Sequence, residues 1–279
     1  MANIEDYDEY SVKRCFTVLI ELLTILGEYR ENLVLVGGWV AKLSLDSAEE
    51  PHIGTTDVDL AVDFQNIPDT TYETIVRLLL ERGYRQDDNQ PYKFFRKLDD
   101  GMEVEVDFLA GEYGGTGKSR RHQRVQDLRA RKARAADLVF DNFMKLTITG
   151  ELPNGAKNEV TLKVASIVSF LAMKGMAIWD RYDEKDSYDI CYTIRNYPGG
   201  LHELAEVIKP HLGNRLILEG LQKIRAKFKE IDGLGPAAYA DFLLAADIEE
   251  RQLLIRDAYE RVNSLLDELG VEPYEEVLD

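Results

Sequence analysis

Apolar positions along the chain follow two different periods, and the change falls near residue 165. Before it, short apolar runs alternate with polar residues and break at Gly, Pro and Asp, as strands and turns do. After it, apolar residues recur every three to four positions almost to the end, as in packed helices. Residues 10–29 place Val12, Phe16, Leu19, Leu22, Leu23 and Leu26 on helical spacing and close on Gly27, which predicts a helix. A strand is predicted at 33–36, a short helix at 38–45 and a second strand at 57–63. Residues 69–83 predict a helix capped by Asp69 or Thr70 and stopped by Gly83. Two strands at 92–98 and 103–109 flank the turn Asp99-Asp100-Gly101. A glycine-rich loop (114–119) and a helix (123–140) follow, then a hairpin of 144–149 and 159–164 around Pro153-Asn154-Gly155. The rest reads as helices at 166–182, 186–196, 201–209, 214–229, 235–245 and 247–269. The pattern predicts an α+β protein. Residues 1–164 hold a small mixed sheet flanked by helices, and 165–279 form an all-α domain.

Composition adjusts this picture little. A chain of 279 residues is long enough to bury a sizeable core in two domains. No apolar run reaches membrane-spanning length, and the acidic start MANIEDYDEY is unlike a secretory signal, so a cytoplasmic protein without membrane partners is expected. Cys15 and Cys191 lack metal-ligand spacing and suit a reducing compartment. The histidines are scattered, which speaks against zinc.

Charge is distributed unevenly. The chain carries −17, yet the segment from Lys118 to Arg134 holds eight basic residues and one acid, so it is +7 and the remainder −24. An acidic protein does not bind nucleic acid through bulk charge. A local basic segment either holds a phosphate chain or balances acidic neighbours as a solvated face, and spacing leaves both open. Within it Lys118, Arg120 and Arg121 are candidate phosphate or acceptor contacts. The string Gly114-Gly115-Thr116-Gly117-Lys118-Ser119 ends like a P-loop, but the position where that motif needs its first glycine is Glu112.

The chemistry concentrates in two strands. In Thr56-Asp57-Val58-Asp59-Leu60 the acids share one face and the apolar residues the other. Neighbouring carboxylates repel, so a cation between them is expected. In Glu103-Val104-Glu105-Val106-Asp107-Phe108 three more acids share a face. If this strand lies beside 57–63, Asp107, nearest the strand end, joins Asp57 and Asp59 as a metal ligand. Three carboxylates around magnesium or manganese suit phosphoryl and nucleotidyl transfer. Glu103 and Glu105 read as the polar face of a half-exposed strand.

Gly37-Gly38 before a helix, then the Asp57-x-Asp59 strand, then a later strand acid, resembles the nucleotidyltransferase fold of the DNA polymerase β superfamily. The resemblance implies that the helix after Gly37-Gly38 turns its N-terminus to a triphosphate. In the helical half, Leu171-Ala172-Met173-Lys174, Arg181 and Lys185-Asp186-x-x-Asp189 are similar to the motifs of AbiEii-type nucleotidyltransferases, toxin-like enzymes of abortive-infection and toxin–antitoxin pairs. The likeness covers about residues 30–195. It implies catalytic roles for Asp57, Asp59, Asp107, Lys174 and an acid of the Asp186/Asp189 pair. Gly37, Gly38, Thr56, Lys174 and Arg181 would contact an NTP, and Mg2+ or Mn2+ would be the cofactor. An RNA (such as tRNA) or protein acceptor and an antitoxin partner are implied as well. Helical spacing puts Lys174 on the apolar stripe with Phe170, Leu171 and Ile178, where an ammonium needs a triphosphate or a carboxylate. Asp186 equally suits the cap of the following helix. An antibiotic-modifying transferase and a catalytically silent nucleotide-binding module of the same fold are the alternatives.

Overall fold

A computed structural model describes residues 2–45, 48–63, 69–110, 122–125 and 128–275. The protein is α+β. It divides into two compact units, one of Glu9–Val40 with Gly54–Ser166 and the other of Met1–Asp8, Ala41–Ile53 and Ile167–Asp279.

The first unit is built on a mixed sheet. Its strands are β1 (Leu33–Val36), β2 (Asp57–Val62), β3 (Tyr84–Gln86), β4 (Lys93–Lys97), β5 (Glu103–Ala110), β6 (His122–Val125), β7 (Leu128–Lys132), β8 (Phe143–Glu151) and β9 (Lys157–Ala165). The order is β3-β4-β5-β2-β1-β9-β8, with β7 beside β5 and β6 beside β7. β2 runs antiparallel to β1 and parallel to β5. Helix α1 (Glu9–Leu26) buries Val12, Val18, Leu19, Leu22, Leu23 and Leu26, and Phe16 and Ile20 lie over Gly150 of β8. On β2 and β5 the alternation is kept: Val58, Leu60, Val104, Val106 and Phe108 are buried. Phe108 meets Phe94 edge to face at 5.6 Å. Helix α2 (Trp39–Ser44) and helix α3 (Asp69–Glu81) follow β1 and β2 in the chain.

One sequence expectation is corrected, and one strand is added. The described residues of 123–140 do not form the expected α-helix: β6 and β7 pair antiparallel, β7 joins β5 at Leu109↔Arg131 and Ala110↔Lys132, and a 3-10 helix spans Ala136–Phe140. The Arg/Ala-rich composition favours a helix locally, but the end of β5 beyond its pairing with β4 supplies hydrogen-bonding groups that outweigh propensity. β3, too short to show a period, was not anticipated. The loop 114–119 lies outside the described residues.

The second unit holds α4 (Ile167–Asp180), α5 (Glu184–Asn196), α6 (Gly200–Ile208), α7 (Arg215–Lys227), α8 (Leu234–Phe242) and α9 (Ile248–Glu268). It also takes in 41–53 and the first eight residues. The cause is visible in the packing: the His52 ring is enclosed by Tyr188 and Tyr192 of α5, and Tyr7 packs on Phe242. α4 and α7 approach through glycine. A Cβ on Gly175 would overlap the Gly220 carbonyl, and one on Gly220 would overlap the Ala172 backbone. Backbone cannot yield as a flexible side chain does. Gly175→Ala is therefore expected to destabilise the helical unit by about 1–3 kcal/mol, read as a lower Tm in differential scanning calorimetry.

Candidate active site

In the sheet unit the parallel register sets Asp57 opposite Glu105 and Asp59 opposite Asp107. A shared register on parallel strands places these four acids on one face of the sheet, opposite the buried valines. Asp107 is buried, whereas Asp57 and Asp59 are half-buried. Each is anchored differently. The Thr55 hydroxyl donates to Asp57 Oδ1, and Thr56, the expected nucleotide contact, is the half-buried residue between them. The Asp57 carbonyl accepts from Trp39 Nε1 at 2.9 Å and Cys15 Sγ at 3.5 Å, which pins the start of β2. Burial, reinforced by Asp57 and Asp59, pushes the Cys15 thiol far up, so it is a neutral donor and no nucleophile. Gly37 has φ +69°, and a Cβ there would overlap Asp59 Oδ2. The Gly37 requirement is thus both conformational and steric. Gly38 completes the turn into α2, which spans only six residues.

Lys93 is the residue that the sequence reading passed over. It faces Asp107 across the β4–β5 pair, bonds the Glu105 carboxylate and lies 3.9 Å from Asp107 Oδ1. Burial works against its charge, but Glu105 and Asp107 outweigh burial and raise its pKa. A signal was present, because the Asp99-Asp100-Gly101 turn fixes the hairpin register, and counting back from it puts Lys93 opposite Asp107.

The donor set of Asp57, Asp59 and Asp107 is all hard oxygen, the chemistry that suits Mg2+ or Mn2+, and the missing Cβ of Gly37 is what lets the Asp59 carboxylate lie against the turn. Among the described residues, the cluster with ligand atoms all within 4.8 Å of one another is instead His202, Glu206 and Glu268. That exposed group is already bridged by an ammonium: Lys209 Nζ lies 2.5 Å from Glu206 and 3.7 Å from Glu268.

The helical unit brings together Lys174, Arg181, Asp186 and Asp189. Lys174 Nζ is 2.7 Å from Asp186 Oδ1 and 2.6 Å from Asp189 Oδ2, and both carboxylates are fully buried. Arg181 bonds Asp186 at 3.0 and 3.1 Å. Lys185, one turn before Asp189 on α5, bonds it at 3.0 Å. His52 Nε2 lies 2.9 Å from Asp189 Oδ1. The helix cap is Asp183, whose carboxylate accepts from the Lys185 backbone, so Asp186 is free of that role. Of the two partners that its position on the apolar stripe calls for, Lys174 has carboxylates.

Burial alone would raise both aspartates, but Lys174 with Arg181 lowers Asp186, and Lys174, Lys185 and His52 hold Asp189 well below the carboxylate range. Burial also disfavours the Lys174 ammonium, yet the two carboxylates raise its pKa. His52 behaves oppositely. Burial is the largest influence and lowers it from 6.5 to about 4 despite Asp189. It is therefore neutral at pH 7, and Nε2–H donates to the carboxylate. Nothing in the polar connection 46–56 marks His52 as part of this cluster. Lys118, Arg120 and Arg121 lie outside the described residues.

No family model, curated protein or solved structure matches the chain.

Two outcomes follow from the buried cluster. Lys174→Ala leaves two buried carboxylates short of a partner, and a loss of about 3–5 kcal/mol in urea denaturation is expected. The unfolded chain protonates His52 near 6.5 and the folded one near 4. The unfolded state thus binds more protons between those values, and stability should fall as pH is lowered across that window. Denaturation curves of His52→Gln should lose this slope. The stabilisation from Asp186 and Asp189, whose folded pKa values are depressed, is lost only at lower pH.

Proposed function

We propose that the chain is a divalent-metal-dependent nucleotidyltransferase of the AbiEii type, in the DNA polymerase β superfamily. It moves a nucleotide from an NTP to a hydroxyl on an RNA, such as tRNA, or on a protein, as the toxin-like member of an abortive-infection or toxin–antitoxin pair. The observation that carries this reading is the β2–β5 register, which puts Asp107 opposite Asp59 on the face that also bears Asp57, beside the glycine turn. When bound, Mg2+ would supply charge neutralisation for the triphosphate. In this reading Asp57, Asp59 and Asp107 would hold the ion, Thr55 orients Asp57, and the Gly37 turn lets the Asp59 carboxylate take its place. The acceptor oxygen bonds the α-phosphorus, pyrophosphate leaves, and the hydroxyl proton passes to a base. The buried Lys174–Asp186–Asp189 cluster keeps the helical unit folded.

Lys93 supports a second reading, the catalytically silent module. Its ammonium already counters Glu105 and lies near Asp107, a place where a cation would otherwise stand.

Incubation with each labelled NTP, Mg2+ and total bacterial RNA separates the two. Metal-dependent label transfer is expected, and Asp57→Ala or Asp59→Ala should lower it by at least about a hundredfold with Tm little changed. No transfer with any NTP, together with a rise in Tm on adding NTP, would favour the silent nucleotide-binding module, and neither transfer nor a rise would overturn both readings.

A further inference from the structure

We propose that a cleft inside the helical unit, distinct from the acidic face of the sheet, binds a small aromatic anion. The cleft, of about 220 Å³, is lined by Trp179 at the end of α4, Arg181 and Tyr182 after it, Ser187 of α5, Lys227 of α7 and Leu234 of α8. Tyr182 and Leu234 are large apolar residues left 52 % and 58 % exposed, so the rim is an apolar surface open to solvent.

Two polar groups in this cleft point to a ligand. Ser187 is fully buried, and its Oγ has no hydrogen-bond partner among the described residues. A buried hydroxyl without a partner costs about 1–3 kcal/mol, so an acceptor brought to it is favoured. Lys227 Nζ stands over the Trp179 ring at 4.9 Å, and no carboxylate of the described residues lies within ion-pair distance of it. The other cation at the rim is spent: Arg181 pairs with Asp186 at 3.0 Å and Asp183 at 3.6 Å. Asp180 also lines the cleft. Lys227 therefore offers a donor to an anionic group on one end of the ligand, and the buried Ser187 hydroxyl on the lining of the same cleft is a donor without an acceptor. Trp179, Tyr182 and Leu234 offer ring and apolar surface to the other end. A benzene ring bearing one carboxylate or one phosphate matches in both size and chemistry.

The test uses the two tryptophans as reporters, since Trp39 lies in the sheet unit with its indole bonded to Asp57 and only Trp179 lines the cleft. Benzoate, phenyl phosphate, benzyl alcohol and inorganic phosphate are titrated into the full chain in EDTA, which removes metal from the acidic face. Indole N–H signals are followed by NMR. Saturable movement of the Trp179 signal, with Trp39 unmoved, is expected with benzoate or phenyl phosphate, and the stronger of the two identifies the anionic group. Lys227→Gln should weaken that anion by about tenfold, the loss of one charge-assisted hydrogen bond, and leave benzyl alcohol unchanged. Ser187→Ala should weaken it less. A Trp179 signal unmoved by both aromatic anions, or binding that survives unchanged in both variants, would overturn the proposal. Because metal is absent, Asp59→Ala should bind as the parent does, whatever becomes of nucleotidyl transfer.

Discussion

The parallel pairing of β2 with β5 governs the sheet unit. It stands between the antiparallel β1–β2 pair and the β4–β5 hairpin, so an error of one residue there would turn one strand's faces over relative to the other's. The buried side of the pair holds the register. Val58, Leu60, Val104, Val106 and Phe108 are all buried in the observed alignment, and a one-residue slip would put one strand's set on the other face. The acids on the other side follow passively. Asp59 meets Asp107 because the valines and Phe108 have settled where they belong. A polar site thus inherits its geometry from hydrophobic burial, which is stronger and less sensitive to pH.

The carboxylates that result are each given a neighbour. Thr55 takes Asp57, the glycine turn makes room for Asp59, and Lys93 offsets Glu105 and Asp107. The helical unit handles buried charge differently. Its two aspartates are out of water entirely and depend on Lys174, Lys185, Arg181 and a neutral histidine. Desolvating so many charges is costly, and only close pairing offsets it. Such a network tolerates little displacement. That accounts for the recruitment of 41–53 into this unit, since His52 has its hydrogen bond there.

Much of the framework was legible in the chain. Period-two alternation gave β2 and β5, the Asp99-Asp100-Gly101 turn gave the β4–β5 hairpin, and period 3.6 gave α4 to α9. Each is a local pattern written in consecutive residues. The stretch 123–140 failed as a helix because its conformation is decided by β5, more than ten residues away in sequence. Lys93 could have been found from the hairpin register. His52 and Ser187 could not, because one histidine in a polar connection and one serine in a helix carry no mark of what surrounds them.

By itself, then, the sequence determined which residues share a face: Asp57 with Asp59, Glu105 with Asp107, Lys174 with the apolar stripe of its helix. Such faces follow from backbone periodicity, which needs no partner. Only the tertiary structure decided what stands opposite each face. It set Asp107 against Asp59, Lys93 against Glu105, His52 and Lys174 against Asp189, and Lys227 over Trp179. These pairings depend on strand order, helix packing and burial, all properties of the folded chain as a whole.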